Sequence, residues 1–201
     1  MTDPLDAVAW PVRTRRLLIR PATPGDLEAT WRIRRLESVA RWVSSATQVR
    51  EEYAETFLEP ARLASMLVFL LEDRVIGDLM IDVEDGWSQT EVSERACGVQ
   101  AELGWVMDPA HNGHGYATEA VAELIRICFE ELGLRRVTAF CFADNTASWR
   151  LMERLGMRRE THALRDSLHR SGGWLDGFGY ALLAEEHASS ASRKSSAKQR
   201  S

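Results

Sequence analysis

Apolar positions recur at two periods along this chain, and the alternation between those periods predicts a mixed α/β arrangement. Arg16-Leu-Leu-Ile-Arg20 is a short apolar run and predicts a first strand. Thr23-Pro-Gly-Asp26 then opens a helix: Thr23 can cap it, Pro24 suits its first turn, and Asp26 closes a capping box. The stretch to Trp42, with Leu27, Trp31, Arg34, Arg35 and Val39, predicts two short helices, and Arg50 to Ala61 a further one. Ser65 to Leu71 and Arg74 to Val83 predict two strands about a tight Glu72-Asp73 turn. Residues 84–98 are polar, contain Gly86 and Gly98, and predict a long loop before a strand from Ala101 to Met107.

Beyond Ala117 the period lengthens. Val121, Leu124, Cys128 and Leu132 recur at helical spacing until Gly133 stops the helix. Arg136 to Phe142 is a β-rich strand. Asn145 to Leu155 is a second helix, with Ala147, Leu151 and Leu155 on one face and Gly156 at its end. Arg158 to Ala184 predicts a closing pair of strands about Ser171-Gly-Gly-Trp174. Antiparallel strands followed by alternating strands and helices imply an α/β sheet of mixed direction. Residues 1–12 carry no pattern and are taken as an N-terminal arm. His187 to Ser201 is Ser, Ala, Lys, Arg and Gln and predicts a disordered tail, which leaves residues 13–186 as the folded domain.

Composition narrows the function. A chain of 201 residues, 45% hydrophobic and 27% charged, suits one soluble domain. A net charge of −5 and a pI near 5.6 speak against a nucleic-acid partner. No apolar run approaches the roughly 18 residues of a membrane span, and no basic-then-apolar leader opens the chain. A cytoplasmic protein without a membrane partner is therefore expected. Cys97, Cys128 and Cys141 form no CxxC pair, and the last two sit in apolar patterns, as reduced core thiols do. His111, His162 and His169 lack metal-ligand spacing, so no metal is expected.

The most informative segment runs from Leu103 to Thr118. A strand enters a loop carrying Gly113 and Gly115, and the loop opens directly onto a helix. Glycines let backbone approach a ligand closely, and the unpaired N–H groups of a helix start carry partial positive charge. Such a loop cradles an anion, most often phosphate or pyrophosphate. It is not a P-loop, since no Gly-Lys-Ser/Thr follows. It matches a dinucleotide fingerprint poorly, since Thr118 stands for the third glycine.

Asp108-Pro-Ala-His-Asn-Gly-His-Gly-Tyr-Ala-Thr-Glu-Ala120 resembles the acyl-CoA-binding loop of the GNAT superfamily of N-acetyltransferases. Asn145-Thr-Ala-Ser-Trp-Arg-Leu-Met-Glu-Arg-Leu-Gly-Met157 resembles that family's Asn-x-x-Ser…Gly-Phe block, with Met157 in the aromatic place. The opening Arg13-Thr-Arg-Arg-Leu-Leu-Ile-Arg-Pro21 and the closing Trp174 to Leu183 resemble the Rim-type branch, which contains the ribosomal-protein N-terminal acetyltransferases.

The resemblance implies a GNAT-like fold: a mostly antiparallel sheet flanked by helices, with the parallel strands Ala101–Met107 and Arg136–Phe142 splayed around the coenzyme. It implies acetyl-CoA as donor and a primary amine, on a protein N-terminus or a small molecule, as acceptor. The pyrophosphate would lie on the N–H groups from Gly113 through His114, Gly115 and Tyr116 to Ala117, with Asn112 and Thr118 at the loop's ends. Pantetheine would bond backbone near Trp105, Val106 and Met107, where an N–H would also face the thioester oxygen. Asn145 would hold the coenzyme or simply cap its helix.

Glu102 matches the carboxylate that serves as base in many relatives; a solvated strand carboxylate or a structural ion pair is the other reading. Alternation puts it on the face of Gly104 and Val106, opposite Leu103 and Trp105. Ser148 matches a serine of the Rim-type branch and is either the proton donor to the leaving thiolate or a hydrogen bond to coenzyme or helix. Met152 stands where many members carry tyrosine, Ala110 where Gln or Arg is frequent, and His114 where Arg or Lys is. The missing Gln/Arg and Tyr leave open a non-catalytic acyl-CoA-binding domain; within the enzyme class, transfer of another acyl group is the rival. Of seven tryptophans, Trp31, Trp42, Trp87 and Trp174 fall in segments that would line the acceptor side, whose loops are 42–62, 84–98 and 165–175. Relatives are often homodimers.

Overall fold

The structure, a computed structural model, describes residues 4–189. Its strands are β1 (Val12–Arg13), β2 (Leu18–Pro21), β3 (Met66–Leu71), β4 (Arg74–Glu84), β5 (Gln100–Met107), β6 (Arg136–Phe142), β7 (Arg158–His169) and β8 (Gly173–Leu183). They form one eight-stranded sheet in the order β1-β2-β3-β4-β5-β6-β8-β7. Every pairing is antiparallel except β5 with β6. This is the mixed, mostly antiparallel sheet with flanking helices expected of the GNAT fold.

Period-two burial explains the layers. Along β3, Leu67 and Phe69 face one way and Met66, Val68 and Leu70 the other, and all five are buried. The first set packs with Val121, Leu124 and Ile125 of α5 (Tyr116–Arg126) and with Leu151 and Met152 of α6 (Thr146–Arg154). The second packs with Leu27 of α1 (Leu27–Arg34) and Phe57 of α3 (Arg50–Phe57). α2 (Glu37–Ala40) contributes Val39 to a small cluster with Ile33 and Val106. The capping box at Thr23 is present, with Asp26 accepting from the Thr23 backbone and hydroxyl at 2.8 Å each.

Three elements differ from expectation. The helix predicted over 50–61 is two helices, α3 and α4 (Pro60–Ala64), because Pro60 has no N–H to continue α3 and disfavours helical backbone at Glu59. The polar 84–98 loop holds a turn of tight helix at Thr90–Ala96. The arm is docked: Leu5 and Val8 are buried, and Trp10 Nε1 donates to Leu5 O at 2.9 Å. Burying one leucine contributes roughly 1.5–3 kcal/mol, so a segment without periodicity can still be held. Of the predicted tail, residues 187–189 continue a closing helical turn from 184, and residues 190–201 lie outside the described residues. Among the described residues no helix is long and apolar enough to cross a membrane.

Candidate active site

The sheet opens at its parallel pair. β5 and β6 pair only over Gln100–Glu102 and Arg136–Thr138. β5 stays joined to β4 as far as Met107, and β6 to β8 as far as Phe142. Past Glu102 and Thr138 the two strands therefore diverge. Backbone groups of a strand point alternately to its two sides, so every second residue of 103–107 directs its N–H and C=O into the gap. The gap floors a cleft of about 1810 Å³. That exceeds the roughly 300–1,000 Å³ of a single small-molecule site and leaves room for two reactants. Trp105, Val106 and Met107 line it.

The glycine loop forms the mouth of this cleft. Asp108 Oδ1 accepts from Ala110 N at 2.9 Å and turns the chain out of β5. Gly113 (φ 81°) and Gly115 (φ 78°) lie in the left-handed region, where a side chain costs about 1–2 kcal/mol. Glu119 N is the first to bond within α5, to Gly115 O at 3.0 Å. The N–H groups of Tyr116, Ala117 and Thr118 consequently have no acceptor inside the helix. Asn112, Gly113, Gly115, Tyr116, Ala117 and Thr118 all line the cleft. His114 does not; its carbonyl accepts from Arg16 Nη1 at 2.9 Å.

That contact belongs to a latch that sequence reading missed. Glu119 Oε1 accepts from Thr14 Oγ1 at 2.6 Å and from Arg16 N at 2.8 Å, and Oε2 pairs with Arg16 Nε at 2.7 Å. The Arg16 guanidinium also lies 4.4 Å from the centre of the Tyr116 ring. Burial pushes the Glu119 carboxyl up, but the hydrogen bonds from Thr14 and Arg16 outweigh it and hold the group below its ordinary value. More than a hundred residues separate the partners, so no local pattern signals the pairing.

Glu102 sits where the sheet splits. It opposes Asp82 in the β4–β5 register, with Glu84 two residues on. It is half-buried, and burial first, then Glu84 and Asp82, raises its pKa. Leu103 faces the α5 side and Val106 the α1–α2 side, so the expected alternation of β5 holds. Across the gap, Asn145 caps α6 by accepting from Ser148 N at 3.3 Å, and both residues line the cleft. Cys141 lies beside Ser148; burial pushes its thiol up to about 11, against a smaller opposing pull from Ser148. Met152 is fully buried in the core.

The other wall comes from α1, α2, α4 and the β7–β8 turn. Of the four tryptophans named above, only Trp42 lines the cleft. Trp31 is buried against Tyr53, whereas Trp87 is 94% and Trp174 59% exposed. Residues of 42–62 and 165–175 reach the cleft, and none of 84–98 does. His169 and Arg170 tie these segments together. His169 Nδ1 accepts from Ser171 N and Gly172 N at 3.2 and 3.0 Å, which leaves Nε2 to donate to Arg41 O at 2.8 Å. Arg170 donates to the carbonyls of Ala40, Val43 and Ser44.

Residues 16–158 match the acetyltransferase (GNAT) domain. The chain belongs to the GNAT acetyltransferase family. It is 28% identical over 179 residues to the uncharacterized N-acetyltransferase YnaD of Bacillus subtilis, covering 87% of this chain and 98% of YnaD. A GNAT-family acetyltransferase structure from Bacillus anthracis superposes with a TM-score of 0.73 at 28% identity, covering 87% and 99% of the two chains. Mycobacterium smegmatis RimJ, solved in complex with CoA-disulfide, shares the fold at 24% identity, with a TM-score of 0.68 and 85% and 83% coverage. This GNAT chain is thus an acyltransferase with a Rim-type protein among its structural neighbours. The matched stretch ends at the first residue of β7, so Leu168, His169 and Arg170 of the cleft lie outside it.

Proposed function

We propose that this acyltransferase moves an acetyl group from acetyl-CoA to a primary amine by direct attack. One observation carries the reading. The sheet parts immediately beyond a partly desolvated carboxylate, and unpaired strand and helix amides converge on the same cleft. The amides of residues 113–118 take the pyrophosphate, as helix N-termini take anions. Backbone groups at Trp105, Val106 and Met107 hold the pantetheine arm, and an N–H there stabilises the oxyanion that develops on the thioester carbonyl.

Glu102 accepts the proton lost by the amine as the C–N bond forms, directly or through water, and the C–S bond breaks. Asp82 and Glu84 add negative potential that favours a bound ammonium and make Glu102 a stronger base. Ser148 protonates the leaving thiolate or, with Asn145, holds the coenzyme. A thiol of ordinary pKa about 8.5 departs with little help, so the buried Met152 at the usual tyrosine place is tolerated. Cys141, its pKa near 11, is protonated at neutral pH and makes a poor nucleophile, which favours direct attack over an acyl-enzyme. At pH 7 roughly a tenth of an α-amino group is neutral, against well under a thousandth of an unperturbed lysine, so α-amines are the easier acceptors.

The test is an amine panel with acetyl-CoA, reading free CoA thiol and acetylated product. Thiol release that requires an amine, with the protein's intact mass unchanged by acetyl-CoA alone, is expected. A stoichiometric acetyl-enzyme would contradict direct attack, and coenzyme binding without turnover on any amine would favour a non-catalytic binding domain.

A further inference from the structure

Two arginines stand near each other on the acceptor wall of the cleft, and they differ in partnership. Arg34 is committed: its Nε donates to Asp78 Oδ2 at 3.0 Å and its Nη2 to Oδ1, and Asp78 is only 1% exposed. Arg62, on α4, also lines the cleft and is partly buried, yet no carboxylate among the described residues pairs with it. It is close enough to Arg34 for the two cations to repel and close enough to Asp78 to feel its charge. Asp78 is taken up by Arg34, so among the described residues Arg62 stands in a partly desolvated recess without an anionic partner, whereas the cleft's other unpaired arginines, Arg41, Arg150, Arg154 and Arg170, are exposed. Such a charge is costly unless a ligand meets it.

The opposite charge gathers at the splay. Glu102 stands across from Asp82, with Glu84 adjacent, whereas Asp78 lies four residues earlier on the same strand. At about 3.3 Å per residue these positions are roughly 13 Å apart along β4. The acceptor recess therefore carries a negative pole where the amine reacts and a positive pole at some distance from it. Potentials arranged this way select a ligand of the complementary pattern.

We propose that the acceptor is an amino carboxylate, with its amine at Glu102 and a carboxylate several bonds away on Arg62. This rests on the transfer reading above. As the one partly buried cleft arginine without an anionic partner among the described residues, Arg62 matches the one charge of a carboxylate better than the nearly two of a phosphate monoester. The separation disfavours a simple α-amino acid. It suits an ω-amino acid, or a peptide N-terminus followed by an acidic side chain.

The test compares kcat/KM for ω-amino acids of increasing length with that for their methyl esters. Peptides with Asp or Asn, and with Glu or Gln, after the N-terminal residue form a second arm. Charge-assisted hydrogen bonds to Arg62 should favour the acid over the ester by roughly 10- to 100-fold, mainly through KM, at an optimum length beyond glycine. In Arg62→Gln that ratio should fall to about one, and Arg62→Lys should restore part of it; because it is a ratio within one variant, changes in overall activity cancel. A preference confined to the peptide arm would identify the carboxylate as a side chain. Equal acid and ester rates in both arms, or an unchanged ratio in Arg62→Gln, would overturn the inference while leaving amine acetylation standing. Turnover on no amine at all would overturn the transfer reading and this inference with it.

Discussion

Glu102 illustrates how much one residue owes to its register. Its face was readable in the alternation of β5, because a period of two needs only neighbouring residues. Its charged neighbours were not, because Asp82 and Glu84 lie on another strand and only the β4–β5 register brings them alongside. Those neighbours and burial raise its pKa above the ordinary carboxylate value, so it becomes a competent base only once the pH has risen through that raised value. The rate should therefore climb with pH on an acidic limb, separate from the later limb set by the amine itself. Glu102→Gln should lower kcat by roughly 10²- to 10⁴-fold and abolish the acidic limb. An unchanged rate and profile would return Glu102 to the reading of a structural carboxylate. Cys141 is the opposite case: its apolar run predicted a core thiol, as Cys128 is, yet it is only partly buried and lines the cleft beside Ser148, a placement that the strand pairing alone decides.

At the scale of elements, the glycine loop was the easiest feature to read, since left-handed backbone at Gly113 and Gly115 demands the residue type seen there. What steadies the loop was invisible. Thr14 and Arg16, in the turn before β2, clamp Glu119 on the first turn of α5 and the carbonyl of His114. Arg16→Ala should loosen that mouth and raise the dissociation constant for CoA about 5- to 30-fold. That corresponds to about 1–2 kcal/mol of charge-assisted hydrogen bonding, discounted for the partial exposure of the side chain. A dissociation constant unchanged by calorimetric titration would mean that the loop holds its own shape. The division of the 50–61 helix follows from Pro60, a breaker plain in the sequence, whereas the docking of the arm through Leu5 and Val8 depends on a core that exists only once the sheet has formed.

For the whole molecule, hydropathy patterning was enough to place eleven-residue strands, hairpins and helices near their final positions, but not to order them. Placing β8 between β6 and β7 is a tertiary choice, and no hydropathy difference marks where β5 and β6 part. That splay was legible only through resemblance of the loop and helix blocks. Charge also redistributes on folding. A protein of net charge −5 lines its cleft with six arginines and two carboxylates, so the local field there is opposite in sign to the whole. The most direct check on this account is thermal unfolding with acetyl-CoA, CoA and NADH titrated separately. A ligand bound only by the native state adds about 2.7 kcal/mol at 100 times its dissociation constant. For a chain of this size that is a rise in Tm of roughly 5–10 °C. The account predicts such a rise with acetyl-CoA and CoA and none with NADH; no rise with either CoA species would contradict it.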